Sequence, residues 1–212
     1  SSMKGDYNPY PKILPSIGAR TTFKFRAGWT FAAELTYKTV AMTADARVEN
    51  QRMKGEDGST DQYFTGTAGI ESSYTQLEVP LYLKYMIGRN RAHRVLLGGY
   101  YSYILDATFI SEAKKGFIGA APDNPDDVVN PDNPRIMDFS ETLDNWDAGI
   151  ILGYEIGINS RLNLGIRAMV GMKDIFKNDS PFDFKMIPVR GTVLISYDLF
   201  EIKAGKGRRL VR

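Results

Sequence analysis

The sequence contains no cysteine, and this absence excludes several classes of function at once. Without thiols there is no disulfide framework, no thiolate metal site and no cysteine nucleophile. An excess of charge of one sign is missing too, since the formal net charge is +2. No basic cluster lies inside the predicted strands, so the composition argues against a dedicated nucleic-acid-binding protein.

Long apolar runs are also missing. No stretch approaches the roughly 18 consecutive apolar residues that predict a transmembrane helix. This leaves β-barrel membrane proteins open, because their strands alternate apolar and polar residues. No signal peptide is visible. The length of 212 residues fits one sizeable domain, which we assign to residues 1–200, followed by a basic tail over residues 201–212.

The clearest pattern in the chain is the alternation over Tyr74–Ile87. Alternation with a period of two predicts a β-strand whose faces meet different environments. One face is apolar and uncharged, and the other carries an acid and a base. The apolar face comprises Thr75, Leu77, Val79, Leu81, Leu83, Tyr85 and Ile87, and the opposite face comprises Tyr74, Gln76, Glu78, Pro80, Tyr82, Lys84 and Met86.

The same alternation recurs six more times, which predicts seven strands in all. The six further segments are Ile13–Phe25, Trp29–Met42, Arg94–Ile110, Asp144–Ile158, Arg161–Lys173 and Asp183–Phe200. Short turns are predicted at Arg26–Gly28, Gly88–His93 and the two-residue hairpin turn Asn159-Ser160. Longer connections are predicted at Ala44–Ser73 (a long loop or a strand extension), Ser111–Thr142 and Asp174–Pro181, and Ser1–Lys12 also reads as loop.

Two architectures fit a set of alternating strands. A soluble barrel has an apolar interior and a polar exterior, whereas a membrane barrel reverses this arrangement. The regular exchange of short and long connections favours the membrane barrel, as do aromatic residues near the short turns. The fold prediction is therefore an all-β, antiparallel, up-and-down transmembrane barrel of eight strands, of which seven are evident.

The membrane interpretation assigns each strand face. The predicted lipid-facing residues include Trp29, Leu81, Leu97, Ile150 and Val193. Charges of both signs would be costly in lipid but can pair across a narrow lumen. The predicted lumen charge network comprises Arg20, Lys24, Glu34, Lys38, Glu78, Lys84, Asp106, Glu155, Arg167 and Arg190. The alternative is a soluble or peripheral barrel that binds a small apolar ligand.

Several segments together resemble the PorT-like outer-membrane β-barrel family of Bacteroidetes. The resemblance rests on the strand LEVPLYLKY (similar to the family's LEIPLLLKY), the glycine-rich LLGGYYSYIL, the hairpin GIILGYEIGINSRLNLGIR and the earlier pair IGARTTFKF and WTFAAELTY. The resemblance covers most of the chain. It implies an eight-stranded barrel without a catalytic motif, and some members serve the type IX protein secretion system.

The resemblance thus implies a non-enzymatic accessory of protein secretion or envelope assembly in the Gram-negative outer membrane. Expected partners are outer-membrane lipid, lipopolysaccharide and other envelope or secretion proteins. Single-chain bacterial barrels have an even number of strands. Because the strand Ile13–Phe25 runs towards the short-turn side, we expect the eighth strand upstream of Ser1, or weakly represented in the first twelve residues.

No residue pattern predicts a catalytic, cofactor or metal site. His93 lies in a short turn, at the wrong end for an enzyme acting on outer-leaflet lipid. The sequence Pro-Asp-Asn-Pro occurs twice, from Pro122 and from Pro131, but without the ligand spacing of a calcium loop. The glycines of the Gly98-Gly99 pair and at Gly149, Gly153 and Gly157 fit strand positions that relieve crowding.

Overall fold

The computed structural model describes residues 8–26, 28–54, 61–88, 92–121, 127–130, 132, 134–177 and 186–199. Over these residues the chain forms antiparallel strands and one 3₁₀ turn, Ser140–Thr142. The strands are β1 (Asn8–Lys12), β2 (Ser16–Arg26), β3 (Trp29–Lys54), β4 (Asp61–Ile87), β5 (His93–Gly119), β6 (Asp127–Val129), β7 (Arg135–Asp138), β8 (Trp146–Gly157), β9 (Leu162–Gly171) and β10 (Val189–Tyr197). No described helix is long and apolar enough to cross a membrane.

All strands belong to one sheet in which neighbours in space are neighbours in sequence. The order is β2-β3-β4-β5-β8-β9-β10. β1 and β2 pair with successive parts of β3, so they share one strand position in the sheet, which we call a lane. On the other side of β5, the short strands β6 and β7 continue the lane of β8. The seven lanes are the seven strands that alternation predicts, although β1 forms where a loop was expected.

The sheet curls strongly, as its registers show. One row of paired residues runs Thr21, Ala33, Leu81, Gly99, Ile150, Val170 and Val189. Arg20, the neighbour of Thr21, nevertheless contacts Ser196, seven residues beyond the end of that row. Such a stagger is typical of strands that tilt around a barrel. Yet β2 and β10 share no described ladder, so the sheet remains open between them.

Three strands, β3, β4 and β5, extend far beyond the others. They contain 26, 27 and 27 residues, more than twice the 9–11 residues that a tilted strand needs to cross a bilayer. In the expected connection Ala44–Ser73, residues 44–54 and 61–73 form strand, so the second of the two alternatives, a strand extension, is correct for them. The expectation of a loop over Ser111–Thr142 is wrong for the described residues, because β5 continues to Gly119 and β6 and β7 pair with it.

Two β-bulges on β5 shift its alternation. Gln76 pairs with Ile104 and Thr75 with Asp106, so Leu105 is an extra residue. A second extra residue, Lys114, follows. Because each bulge moves the following side chains to the opposite face, residues beyond Leu105 change sides. Phe109, which unbroken alternation from Leu97 would place on the outer apolar face, is consequently buried inside.

The short turns close one end of the sheet, which we call the turn end. Gly28 and Gly88 each have φ of 83°, in the left-handed region that glycine adopts without strain. The turn after β8 is longer than the predicted two residues and spans 158–161. The Asn159 side chain accepts hydrogen bonds from the backbone N–H groups of Arg161 and Leu162 and holds it closed.

Candidate functional site

The inner face of the barrel near the turn end is organised around one carboxylate, Glu155 on β8. Its Oε2 lies 2.6 Å from Arg20 Nη1 and 2.9 Å from Lys84 Nζ, and its Oε1 lies 2.6 Å from Arg94 Nη1. Arg94 also donates to Asn163. Glu155 and its three cations come from four different strands, so a single buried carboxylate joins the lower barrel across its lumen.

A second cluster lies further up the lumen around Glu34 on β3. Arg167 on β9 makes a bidentate contact with it, with both nitrogen–oxygen distances 2.7 Å. Tyr82 on β4 donates its hydroxyl to Glu34 and also receives a hydrogen bond from Arg167. The Arg167 guanidinium lies 4.7 Å from the centre of the Tyr82 ring, within the range of a cation–π contact.

A third cluster lies at the upper end of the lumen. Lys38 Nζ lies 2.6 Å from Glu78, and Arg190 Nη2 lies 2.7 Å from Asp147 and 3.7 Å from Glu78. Tyr100 donates to Asp147 at 2.8 Å. Each carboxylate thus faces a cation from another strand, as buried charges require.

Together the three clusters fill the lumen with side chains that interlock. Six cations meet four carboxylates, and two tyrosine rings lie among them. Glycines make room for the rings: a Cβ on Gly98 would lie 2.5 Å from Tyr82 Cβ, and one on Gly149 would lie 2.7 Å from Tyr100 Cε1. The described residues contain no group of acids or histidine suited to a metal ion.

Eight of the ten residues predicted for the lumen network lie together in these clusters. They are Arg20, Glu34, Lys38, Glu78, Lys84, Glu155, Arg167 and Arg190. Lys24 is on the same face of β2 as Arg20 but is exposed near the turn end. The placement of Asp106 was wrong, because the bulge at Leu105 turns it to the outer surface.

Three further lumen residues, Tyr82, Arg94 and Tyr100, were not predicted for the charge network, whereas a fourth, Asp147, is a charge that the alternation of its own strand places on the lumen face. The signal for Tyr82 and Tyr100 was their position on the polar face of an alternating strand. A phenol hydroxyl needs a partner when it is buried, so a tyrosine among charges indicates a network member. Arg94 was hidden because it begins its strand beside a basic turn.

The residues predicted to face lipid all lie on the outer surface of the barrel. These residues are Trp29, Leu81, Leu97, Ile150 and Val193. Among them, Leu81 is 47% exposed and Val193 is 73% exposed. Aromatic rings bound this apolar band at both ends. At the turn end the Trp29 and Tyr85 rings are 4.8 Å apart, and at the other end the Tyr101 and Trp146 rings are 5.9 Å apart.

The upper aromatic belt was not predicted, yet it marks the height of the band. On β3, Trp29 belongs to the lower belt and Tyr37 lies level with the upper one, a separation of roughly 20–25 Å for a tilted strand. Lys173 Nζ lies 3.7 Å from the centre of the Trp146 ring and pairs with Asp144. Aromatic girdles about 25 Å apart are typical of transmembrane barrels.

Beyond the upper belt the polarity of the wall is inverted, in a part we call the extension. Its interior is an apolar cluster that contains Ala44, Ala46, Val48, Phe64, Ala68, Ile70, Phe109, Ala113, Ile118, Val129, Leu143 and Phe176. Its outer surface carries the exposed charged residues Asp45, Arg47, Glu49, Glu71, Asp106, Lys114 and Lys115. Lys12 pairs with Glu71, and Lys114 with Asp45, across neighbouring strands.

Short hydrogen bonds attach the chain after β7 to the extension. Asp138 accepts from the side chain and the backbone N–H of Ser140, at 2.5 and 2.9 Å, and Ser140 Oγ accepts from the Phe109 backbone. These hydrogen bonds hold the pKa of Asp138 below its ordinary value. On the outer surface, the hydrogen bond to Asp45 raises the pKa of Lys114.

The remaining candidates are not assembled into a site by the described residues. His93 lies at the turn end, where its ring is hydrogen-bonded to Tyr154 and stacks on it. Of the two Pro-Asp-Asn-Pro repeats, only Asp132 and Pro134 lie within the described residues. The basic tail over residues 201–212 lies outside them.

The fold and its two interiors define the class of protein. A curled antiparallel sheet with an apolar outer band, two aromatic belts and a charged lumen is a transmembrane β-barrel of the bacterial outer membrane. The chain belongs to the family described as outer membrane protein beta-barrel domain, whose model matches residues 1–177. No curated protein and no solved structure matches the chain.

The alternative of a soluble barrel around an apolar ligand is therefore wrong. At the level of the apolar outer band, the interior holds ion pairs and tyrosine hydroxyls where such a ligand would lie. Because short turns of outer-membrane barrels face the periplasm, the extension lies on the outside of the cell.

Proposed function

We propose that this protein is a non-catalytic surface-docking protein, in which the barrel anchors the extension and the extension contacts partners. The polarity inversion carries this proposal. An extension with its own apolar interior stays folded in water. A flexible loop would lose conformational entropy when it became ordered on a partner, and its binding would be weaker for that reason. Resemblance to the PorT-like family supports an accessory role in protein secretion or envelope assembly, with lipopolysaccharide around the barrel.

The filled lumen supports anchoring over transport. An eight-stranded barrel is just wide enough for side chains to fill it. Here long cations and carboxylates from strands that do not pair with each other meet within 2.6–2.9 Å, as in the contacts of Glu155 with Arg20 and Lys84 and of Glu34 with Arg167. We expect no large, steady single-channel conductance in planar bilayers, and a stable open channel would contradict the anchoring role.

Shortening the extension tests the docking role directly. Ala46 and Ala68 are cross-strand partners, so an Asn-Gly turn in place of residues 47–67 preserves the hairpin register. The variant is compared with the full chain in a strain that lacks its gene. The readouts are envelope permeability, levels of secreted protein and chemical cross-links to envelope proteins.

We expect the shortened protein to insert, shown by heat-modifiable mobility on gels, but not to restore the wild-type readouts. Glu71→Gln, which removes one exposed ion pair of the extension, serves as the matched control and should restore them. Full restoration by the shortened protein would contradict the docking role of the extension.

A further inference from the structure

The segments around the three short turns carry charge of one sign. Residues 24–28, 88–94 and 158–161 contain no aspartate or glutamate, and their cations are Lys24, Arg26, Arg89, Arg91, Arg94 and Arg161. The structure describes the side chains of Lys24, Arg94 and Arg161, of which the first and the last are exposed. The described carboxylates near this end are Glu155, which is buried against three cations, and Asp198. The turn end therefore has an excess of positive charge.

The cations at the opposite end of the apolar band are balanced by carboxylates. Lys12 lies 2.7 Å from Glu71, and Lys114 lies 2.9 Å from Asp45. Lys173, beside the upper aromatic belt, also pairs with an aspartate. A phosphate that approached one of these lysines would meet a carboxylate next to it, so the upper boundary offers an anion less than the turn end does.

The turn end also places basic groups at a defined depth in the membrane. Arg161 Nη1 donates to the Tyr197 hydroxyl at 3.3 Å, and the His93 ring is hydrogen-bonded to the Tyr154 hydroxyl. Tyr197 is 56% exposed, on the outer surface of the barrel. A tyrosine at a membrane interface keeps its ring among the acyl chains and its hydroxyl at the headgroups. A cation bound to that hydroxyl consequently lies level with the lipid phosphates.

The chemistry of these groups favours a lipid with net negative charge. Guanidinium and ammonium groups bind phosphate oxygens through charge-assisted hydrogen bonds. Their attraction to an anionic leaflet is strong only within a Debye length, a condition that groups at headgroup depth meet. A zwitterionic headgroup adds an ammonium of its own, which an excess of cations repels. Phosphatidylglycerol has a phosphate and no ammonium.

We propose that the cations of the three turn segments, which we call the basic collar, bind anionic phospholipid headgroups of the phosphatidylglycerol type in the periplasmic leaflet. The collar adds a lipid preference at one end of the barrel to the general contact between the apolar band and acyl chains. It concerns the anchor and not the extension, so a failure of either proposal leaves the other standing.

The two tryptophans of the chain report on the two ends separately. Trp29 is in the lower belt and Trp146 in the upper belt, and each is 37% exposed. Trp146→Phe leaves only the lower reporter, and Trp29→Phe leaves only the upper one. Each variant is expressed from the full gene, purified from the outer membrane and reconstituted in vesicles of equal parts phosphatidylglycerol and phosphatidylethanolamine.

Brominated acyl chains, which quench nearby tryptophan fluorescence, are carried by phosphatidylglycerol in one preparation and by phosphatidylethanolamine in the other. The total composition is the same in both, so the difference in quenching measures which lipid surrounds the reporter. Because both leaflets contain the same lipids, the direction of insertion does not affect the comparison.

We expect phosphatidylglycerol to be enriched about fivefold around Trp29, which corresponds to about 1 kcal/mol for one contacting cation. Around Trp146 we expect quenching by the two lipids to be equal. Added sodium chloride should reduce the enrichment at Trp29, because it screens exposed charges. Equal quenching of Trp29 by the two lipids would overturn the proposal, as would the same enrichment at Trp146.

Two charge variants with the Trp29 reporter test the collar itself. Lys24→Gln with Arg161→Gln removes two collar cations and should reduce the enrichment at least twofold. The matched control, Lys12→Gln with Lys114→Gln, lowers the net charge by the same amount in the extension and should leave the enrichment unchanged. A collar variant that inserts and keeps the full enrichment would overturn the proposal. If that variant does not insert, the comparison of the two tryptophans alone decides.

Inorganic phosphate distinguishes a lipid site from a site for a free anion. We expect added phosphate to reduce the enrichment at Trp29 no more than sodium chloride of equal ionic strength does. Loss of the enrichment in phosphate but not in the matched chloride would indicate a site for the free anion and would overturn the assignment to lipid.

Discussion

The barrel below the upper aromatic belt and the extension above it are built from the same strands but are opposites in polarity. On β3, the inward residues Glu34 and Lys38 of the lower part give way to Ala44, Ala46 and Val48 above. The outward residues change from apolar to charged at the same height. On β3 the even-numbered residues face inwards in both regions, so only the chemistry of each face is exchanged.

This exchange shows that the solvent outside the wall determines what lies inside it. Where lipid surrounds the sheet, apolar residues face outwards and the charges must pair in the lumen. Where water surrounds it, burying apolar surface stabilises the fold and charges remain outside. The two regions therefore depend on different forces, and substitutions of the same kind should have different effects in each.

The largest contrast is expected between a buried and an exposed carboxylate. Glu155→Gln leaves Arg20, Lys84 and Arg94 without their buried counter-charge, and we expect a loss of about 3–5 kcal/mol in unfolding free energy. Glu71→Gln in the extension removes an exposed pair and should cost less than about 1 kcal/mol. Urea unfolding from vesicles measures both, and equal losses would contradict the comparison.

A lysine scan of the outer surface should locate the boundary between the regions. Leu81→Lys places a charge in the lipid-facing band and should cost roughly 2–4 kcal/mol. Phe117→Lys, at an outward position of the extension, should change stability by only about 0.5 kcal/mol. The same unfolding assay decides, and a similar penalty at Phe117 would place the membrane boundary higher than the aromatic belt.

Replacing a lumen glycine by alanine should have a smaller effect on the stability of the barrel. A methyl group at Gly98 would meet Leu81 O at 2.1 Å, so Gly98→Ala should destabilise the barrel by roughly 1–3 kcal/mol through forced backbone shifts. Gly191 has nothing within 4 Å of the corresponding position. Gly191→Ala is thus the matched control and should be nearly neutral in the same assay.

The smallest effect is a pH dependence of the hydrogen bonds that Asp138 makes in the extension. Because its pKa is lowered in the folded protein, Asp138 stabilises the fold above the unfolded value of about 3.9. That contribution is lost as pH falls through the lower folded pKa. We expect lower amide protection factors, with the intrinsic exchange rate at each pH divided out, around Ser140–Thr142 below about pH 4 than at pH 6. Asp138→Asn should reduce this pH dependence, and an unchanged profile in that variant would contradict the assignment.

The sequence contained most of the lower barrel. Seven alternating segments predicted the seven lanes, and eight of the ten residues predicted from their charged faces lie together in the lumen. The sequence of the extension also alternates, although the strand prediction did not include that part. The run Ala44-Asp45-Ala46-Arg47-Val48-Glu49 alternates as regularly as the strands below, but its apolar residues occupy the even, inward positions.

The side-chain directions beyond the bulges were not predictable. Alternation is a property of one strand, whereas a bulge arises from the pairing of two strands. Nothing in the run around Leu105 indicates that its partner strand lacks one residue. That single extra residue misplaced Asp106 and Phe109 together. The opening of the sheet likewise depends on which strands meet, and one strand's sequence does not contain that information.

The continuity of β3, β4 and β5 has a mechanical consequence. These strands pass from the turn end to the tip of the extension without an intervening loop, and their ladders accompany them along most of that length. A partner that pulls on the extension along the strands loads many ladder hydrogen bonds in shear, all at once, and not one after another as in peeling. We therefore expect the extension to resist stretching, and we expect force applied to it along the strands to be transmitted to the strands that surround the charged lumen.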